Sequence, residues 1–178
     1  SHDVYVQASA GNGIGFTDED YINSGAVILN TAKEVFNSAT LIVKVKEPMP
    51  SEFKYLTKDH TLFTYLHLAG EPKQAADLIA TGVTGIAYET VTAEDGSMPL
   101  LAPMSAIAGQ LSVIVGSYHL LKPNQGMGTL IGAFADIQPR IVTVIGAGIA
   151  GTEAIDKAIS NKAYLKIIDL SEKRLNEL

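Results

Sequence analysis

Along this chain of 178 residues, short apolar runs alternate with segments in which apolar residues recur at helical spacing. Apolar runs of about four to eight residues, bounded by Gly, Pro or polar residues, indicate buried strands. Such runs predict strands at residues 4–8, 26–29, 41–45, 61–68, 84–89, 141–146 and 164–169. Strands that alternate with helices build a parallel sheet with helices on its faces, so the pattern predicts an α/β fold.

Helix boundaries are indicated by capping residues. Residues 31–34 read Thr-Ala-Lys-Glu, a capping box in which the Thr hydroxyl and the Glu carboxylate satisfy free amides at a helix start. Gly82 stops an amphipathic helix, and Ser105 is a suitable cap for a later one. Helices are predicted at residues 17–25, 72–81 and 105–121, then from the sixth strand to about 159, with short helices beginning at 31 and 171.

One stretch has the length of a membrane span. Residues 98–121 carry no charged side chain. Two prolines, three serines, a glutamine and a histidine interrupt the stretch, which favours a buried helix of a globular protein over a membrane helix.

Composition excludes several classes of function. The formal net charge is −6, and the 13 Lys and Arg residues form no basic patch large enough to neutralise a run of phosphates, so a nucleic-acid partner is not expected. The chain has no Cys, which excludes disulfides, thiolate metal sites and thiol chemistry and is typical of a cytoplasmic enzyme. No metal site and no membrane partner are predicted.

The strongest motif is a glycine-rich turn. Gly146, Gly148 and Gly151 match G-x-G-x-x-G, with a predicted strand before and a predicted helix after. In a dinucleotide-binding turn these glycines allow a tight bend, close approach of a diphosphate, and close packing of helix on strand. The diphosphate is then expected on the free amides of Ile149 and Ala150.

Asp169 ends the next strand, 18 residues after Gly151. A carboxylate there accepts hydrogen bonds from the adenosine ribose hydroxyls and repels a 2′-phosphate, so NAD is favoured over NADP. The alternative is a turn that uses glycine only for packing, with Asp169 as a helix cap.

Two strand ends carry groups that suit a small keto acid. Lys44 and Lys46 fall on the same side of an extended segment, and the Glu47-Pro48 turn fixes the direction of the second ammonium. His67 falls at the end of an apolar strand, where an imidazole could exchange a proton with a carbonyl oxygen. Each has a structural alternative: a solvated surface lysine, or a core histidine with satisfied hydrogen bonds.

The elements predict two domains. Residues 1–122 form a Rossmann-like parallel-sheet domain that ends in the helix 105–121, and the glycine-rich residues 123–139 form a hinge loop. Residues 140–178 contain the first βαβ unit of a Rossmann NAD-binding domain. Two strands cannot form a self-sufficient sheet, so we expect the domain to continue beyond this chain.

Five motifs, read in order, carry a resemblance to a known family. They are VKVKEP (43–48), FTYLHLAG (63–70), GIAYETV (85–91), DGSMPLLAPMS (95–105) and GAGIAG (146–151). Their order and spacing strongly resemble bacterial alanine dehydrogenases, with the chain truncated at both ends. Transhydrogenase subunits are related in fold and cofactor, but the histidine of FTYLHLA is not expected in them.

The resemblance implies roles for particular residues. Lys46 would bind the substrate carboxylate and polarise the carbonyl, and His67 would donate and accept the proton. Ser105 and Arg174 would contact the cofactor NAD. The implied reaction is the reversible conversion of L-alanine to pyruvate and ammonium in a cytoplasmic homohexamer.

Two alternatives remain open. The usual N-terminal segment of the family, with an arginine that binds the substrate carboxylate, is absent, and so is a catalytic aspartate of the cofactor domain. A non-catalytic or split-subunit remnant of the enzyme therefore remains an alternative. The other alternative is a transhydrogenase-like NAD-binding subunit.

Overall fold

The computed structural model describes residues 2–178 and contains two compact units, one ending at Gly96 and the other running from Ser97 to Leu178. In both units the neighbouring strands pair in parallel, and helices follow the strands. The predicted α/β fold with parallel sheets is confirmed.

The first unit begins with a pair of parallel strands. Strand β1 (Tyr5–Gln7) pairs with β2 (Val27–Leu29), and helix α1 (Asp18–Asn23) connects them. Helix α2 (Ala32–Ser38) follows β2. The strand and helix positions agree with the predicted ones to within a few residues.

A three-stranded parallel sheet completes the first unit. Its strands are β3 (Leu41–Val43), β4 (Thr61–Thr64) and β5 (Thr84–Ala87), with β4 in the centre. Helix α3 (Pro72–Thr81) ends as predicted at Gly82, whose φ of +72° lies in the left-handed region. The buried core of this unit consists of Phe36, Ile42, Leu56, Leu62, Leu66 and Leu78.

Reciprocal capping explains where the first two helices begin. The predicted box at α2 is present: the Glu34 N–H donates to the Thr31 hydroxyl (3.2 Å), and the Thr31 N–H donates to the Glu34 carboxylate (2.8 Å). Thr17 and Asp20 form a second capping box at α1, which the sequence interpretation did not identify. The hydrogen bonds from the Thr17 hydroxyl and backbone lower the pKa of Asp20.

The second unit contains helix α4 (Ala102–His119) and a βαβ unit. Strand β6 (Ile141–Ile145), helix α5 (Ile149–Ser160), strand β7 (Tyr164–Ile168) and helix α6 (Glu172–Glu177) follow in order. Strands β6 and β7 are parallel neighbours. The core between α4, α5 and this sheet consists of Val113, Ile131, Val144, Ala154, Ile155 and Ala158.

Three predicted strands are too long at their carboxyl ends. The strand predicted at 41–45 ends at Val43, and the one predicted at 61–68 ends at Thr64. The strand predicted at 84–89 ends at Ala87 and continues as a short 3-10 helix, Tyr88–Thr90. Past these ends Leu66 is buried and Leu68 packs against the core, whereas Val45 is 69% exposed, so hydrophobicity alone does not show where pairing stops.

The predicted start of α4 is wrong. The helix begins at Ala102, so Ser105 lies inside its first turn, where the Ser105 N–H donates to the Leu101 carbonyl (3.1 Å). Pro103 is compatible with this start because the first turn of a helix does not use the backbone N–H that proline lacks.

The prediction that α4 is a buried helix is also wrong. Gly109 and Val113 are buried, but Ile107, Leu111 and Val115 are 60%, 49% and 50% exposed. Within residues 2–178, no helix is both long enough and apolar enough to cross a membrane.

The compact units divide the chain at a different point from the predicted domains. Helix α4 packs closely on α5. Its Gly109 lies so near α5 that a Cβ there would collide with the Ala150 carbonyl oxygen. It therefore falls in the second unit, whereas the sequence interpretation placed the helix 105–121 in the first domain. The domain boundaries and the hinge at 123–139 remain predictions.

Candidate substrate and cofactor sites

The carboxyl end of β4 fixes the segment that carries Lys46. Thr64 is fully buried, and its hydroxyl donates a hydrogen bond to the Lys46 carbonyl (2.8 Å). The next residue, Tyr65, donates its N–H to the Val45 carbonyl (3.2 Å). These two bonds place the backbone of Lys46 beside the last residues of the central strand.

The two candidate lysines have different surroundings. The Lys44 ammonium lies 2.7 Å from both carboxylate oxygens of Glu52, whose side chain is 7% exposed, so Lys44 is committed to a structural ion pair. The Lys46 side chain is 68% exposed and lies 3.5 Å from a Glu47 oxygen. The backbone bends at residues 45 and 46, so the extended segment from which a common direction was predicted ends at Val43. Lys46 is the lysine that remains accessible to a ligand.

His67 lies three residues beyond β4, not at the strand end as predicted. Its φ of +50° lies in the left-handed region, and its ring stacks on that of Tyr65 with centroids 5.9 Å apart. Among residues 2–178, no hydrogen bond to either ring nitrogen of His67 is present, and the side chain is exposed. The imidazole therefore keeps both nitrogens for a ligand.

Glu47 links the two candidate residues. Its backbone N–H contributes most to lowering the pKa of its carboxyl; burial opposes the shift, and the Lys46 ammonium and the His67 imidazole add to it. Both groups thus act on one carboxylate. Lys46 and His67 follow the carboxyl ends of the parallel neighbours β3 and β4, which lie at the same edge of the sheet. The sequence interpretation used Glu47 only as part of a rigid turn.

Glu89 is a residue of this site that sequence reasoning missed. Its carboxylate accepts the backbone N–H of His67 (2.7 Å) and that of Leu66 (3.1 Å). Burial alone would raise the pKa of Glu89, but hydrogen bonds from its own, the His67 and the Leu66 backbone lower it, as does the His67 imidazole. The available signal was its position, just after the strand that neighbours β4.

A cavity of about 440 Å³ lies beside His67. Glu89 and the loop after His67 line it, while Lys46 is not among its lining residues. The described structure therefore brings Lys46 and His67 together through Glu47 rather than through one shared cavity wall.

The second unit contains a larger cavity, of about 1040 Å³, between α4, β6 and α5. Six of the predicted cofactor-binding residues line it: Ser105, Gly146, Gly148, Ile149, Ala150 and Gly151. Asp169 and Arg174 lie outside the lining of this cavity.

The three glycines of the turn have different structural roles. Gly146 has a φ of +92°, which favours glycine. A Cβ at Gly151 would collide with the Gly146 carbonyl oxygen, so glycine is required for helix α5 to pack on this turn. A Cβ at Gly148 would meet nothing within 4 Å, so its face of the turn is open.

The start of helix α5 is suited to an anion. Gly148 occupies the cap position, and no side chain within the described residues 2–178 caps the helix. Ile149 and Ala150 lie in the first turn, where backbone N–H groups have no partner within the helix. The open face at Gly148 and these donors fit the diphosphate of a dinucleotide.

Asp169 and Arg174 hold the same residue of the turn. The Ala147 N–H donates to Asp169 (2.6 Å), and the Arg174 Nε donates to the Ala147 carbonyl (2.8 Å). Arg174 also donates to the Thr152 hydroxyl (2.7 Å). The backbone N–H of Ser171 contributes most to lowering the pKa of Asp169, followed by that of Ala147. Asp169 is thus an ionised acceptor at the end of β7.

Two family domains match the chain. "Alanine dehydrogenase/PNT, N-terminal domain" matches residues 1–108, and "Alanine dehydrogenase/PNT, C-terminal domain" matches residues 112–178. An alanine dehydrogenase from Methanococcus maripaludis is 47% identical over 174 residues, which are 98% of this chain and 47% of that protein. One from Mycobacterium tuberculosis is 43% identical over 99% of this chain and 48% of its own length. The chain spans about half the length of the curated relatives it matches.

Solved structures agree with these matches. An L-alanine dehydrogenase superposes with a TM-score of 0.88 at 42% identity, over 99% of this chain and 49% of that one. A transhydrogenase from Sinorhizobium meliloti superposes with a TM-score of 0.76 at 23% identity, over 98% of this chain and 52% of that one, which shows a shared fold. By the extent of the domain matches and the identity to its relatives, the chain belongs to the alanine dehydrogenase/PNT family.

Proposed function

We propose that the protein to which this chain belongs is an NAD-dependent L-alanine dehydrogenase. It converts L-alanine, NAD⁺ and water into pyruvate, ammonium, NADH and a proton, and it runs the reaction in both directions. The alanine dehydrogenases to which this chain is similar support the proposal. The chemistry of the edge that carries Lys46 and His67 supports it independently.

Lys46 and His67 have complementary roles in this proposal. The exposed ammonium of Lys46 binds the carboxylate of alanine or pyruvate and polarises the carbonyl oxygen. The nitrogens of the His67 imidazole have no hydrogen-bond partner among residues 2–178. The imidazole donates a proton to, or accepts one from, the substituent on the reacting carbon. The pKa of the Glu47 carboxyl is lowered, so Glu47 stays anionic beside both groups.

The glycine-rich turn holds the cofactor in this proposal. The N–H groups of Ile149 and Ala150 bind the diphosphate, and Ser105 contacts the cofactor from helix α4. Asp169 accepts hydrogen bonds from the adenosine ribose and repels a 2′-phosphate, which favours NAD over NADP, while Arg174 lies near the adenosine end. The nicotinamide supplies the hydride acceptor when it is bound.

The observation that carries the proposal is the contrast between the two lysines. Lys44 is held in an ion pair with the buried Glu52, whereas Lys46 is exposed beside Glu47. In the full-length protein, Lys46→Ala should abolish L-alanine-dependent NADH formation and leave the thermal unfolding temperature unchanged. Lys44→Ala is the matched control and should lower that temperature while folded protein retains turnover.

His67→Ala should also abolish turnover without loss of folding. Normal turnover in both Lys46→Ala and His67→Ala would remove the proposed roles. Wild-type protein that exchanges hydride between nucleotides and ignores alanine would favour the transhydrogenase-like alternative. A cytoplasmic homohexamer is the assembly and location that the family resemblance predicts, and analytical ultracentrifugation of the full-length protein tests the assembly.

A further inference from the structure

His67 has an unusual backbone for a side chain that must be accurately placed. Its φ of +50° lies in the left-handed region, which β-carbon-bearing residues rarely adopt because the side chain crowds the backbone. No glycine relieves this crowding at position 67. The conformation therefore requires partners from elsewhere in the fold.

The carboxylate of Glu89 supplies that partner. Glu89 Oε1 accepts the His67 N–H (2.7 Å) and the Leu66 N–H (3.1 Å), and its Oε2 lies 3.3 Å from the Leu66 nitrogen. Glu89 comes from the short helix after β5 and is 22 residues from His67 in sequence. A charged acceptor shared by two successive N–H groups is a strong constraint on the peptide between them.

Neighbouring contacts complete the constraint on this loop. The Gln74 side chain on α3 donates to the Leu66 carbonyl (2.9 Å), so the backbone N–H and the backbone carbonyl of Leu66 are both held by side chains. Leu66 itself is 3% exposed in the core. The ring of Tyr65 then stacks on the imidazole at an angle of 10°. The fixed backbone sets the direction of the Cα–Cβ bond of His67, and the Tyr65 ring packs on the imidazole.

We propose that Glu89 is a positioning residue for His67: its carboxylate binds the N–H groups of residues 66 and 67 and thereby holds the imidazole in its reactive direction. The inference rests on the proposed role of His67 as proton donor and acceptor. Glu89 is not itself the proton donor, because its oxygens are engaged by backbone N–H groups and its pKa is lowered. It acts on the reaction through the position of His67.

Variants of the full-length protein test this role. Glu89→Ala should reduce kcat for alanine oxidation about 100-fold, which is the order of loss expected when a reacting group is misplaced by about 1 Å. KM for NAD⁺ should change less than about twofold, because the change does not alter the cofactor turn. Glu89→Gln keeps an oxygen able to accept both N–H bonds, so its kcat should fall less than about tenfold.

Glu34→Ala is the matched control. Glu34 also accepts a backbone N–H, that of Thr31 at 2.8 Å, in the same compact unit. Its removal should destabilise the fold to a similar extent and leave kcat unchanged. If Glu89→Ala does not fold, Glu89→Asp decides: its shorter carboxylate cannot reach both N–H groups, so kcat should fall more than in Glu89→Gln.

Crystal structures of the variants give a readout that does not depend on activity. Residue 67 should move to a negative φ in Glu89→Ala and keep its positive φ in Glu34→Ala. A positive φ at residue 67 in Glu89→Ala would overturn the proposal. So would a kcat within twofold of wild type in folded Glu89→Ala or, if that variant does not fold, in Glu89→Asp. Wild-type protein without alanine oxidation would instead refute the proposed function, and the φ of residue 67 would still decide whether Glu89 holds the loop.

Discussion

The turn at Gly146 and the turn at His67 both require a left-handed residue, but they obtain it in different ways. Gly146 reaches a φ of +92° at a position where glycine has no side chain to crowd the backbone. His67 reaches +50° with a full side chain and is held by Glu89, which lies 22 residues away. The first turn is specified by local sequence, and the second by a distant contact.

This difference matches the tasks that we propose for the two turns. A diphosphate site needs backbone N–H groups and space, both of which glycines provide. A proton-transfer site needs a side chain, so glycine cannot occupy position 67 and the backbone must be stabilised from outside. Substitutions at the two turns should therefore have different signatures. At the glycine turn they should affect stability or cofactor binding, and at the His67 turn they should affect catalysis.

Gly151→Ala should have the largest effect on stability. The new Cβ would collide with the Gly146 carbonyl oxygen, so helix α5 must shift, and we expect a loss of about 3 kcal/mol in the free energy of unfolding. Urea unfolding of the full-length protein measures this loss. An unchanged unfolding midpoint would show that the turn tolerates a side chain there.

His60→Ala should be the next most destabilising. The Thr57 N–H donates to His60 Nδ1 (3.0 Å), and His60 Nε2 pairs with the Phe36 carbonyl (2.9 Å), so His60 is a histidine with both nitrogens satisfied inside the fold. Its removal leaves two backbone groups without partners and should cost about 2 kcal/mol. His67→Ala should cost less than about 0.5 kcal/mol, as for an exposed side chain. Equal losses of unfolding free energy in His60→Ala and His67→Ala, measured by urea unfolding, would contradict this distinction.

Gly148→Ala should separate folding from cofactor binding. A Cβ at Gly148 meets nothing within 4 Å and its φ is −69°, so the fold should be unaffected. The methyl group would occupy the open face at which we propose the diphosphate binds. NADH fluorescence titration should show about tenfold weaker binding, equivalent to about 1.4 kcal/mol. Wild-type affinity in this variant would place the diphosphate elsewhere.

Glu89→Gln should have a small effect on stability, and the effect should depend on pH. The folded-state pKa of Glu89 is below its ordinary value of 4.5, so the ionised carboxylate stabilises the fold above pH 4.5. That contribution is lost as the pH falls through the folded-state pKa. Near pH 7 the free energy of unfolding of the wild type should exceed that of Glu89→Gln by less than about 1 kcal/mol, because solvent screens this partly exposed group. The two free energies should converge in acid. A difference that grows towards low pH would have the wrong sign.

What could be predicted from the sequence follows the same division. The capping box at Thr31, the helix stop at Gly82 and the turn at Gly146 were predictable because a few neighbouring residues determine each of them. The start of α4 was missed because Ser105 offered a plausible cap, while Pro103 was compatible with an earlier first turn.

The details around His67 could not be predicted in the same way. Its identity as a candidate came from its place in the apolar run and from the family resemblance. The end of β4 at Thr64 and the left-handed backbone depend on Glu89, Gln74 and Tyr65, which lie on three segments. Long-range side-chain contacts of this kind leave no periodic signal in a single sequence.

The most direct test of the proposed substrate site is a crystal structure of the full-length protein with NADH and pyruvate bound. We predict that the pyruvate carboxylate contacts the Lys46 ammonium and that the His67 imidazole lies within hydrogen-bond distance of the pyruvate carbonyl oxygen. The structure would contradict the proposal if pyruvate bound with neither Lys46 nor His67 in contact.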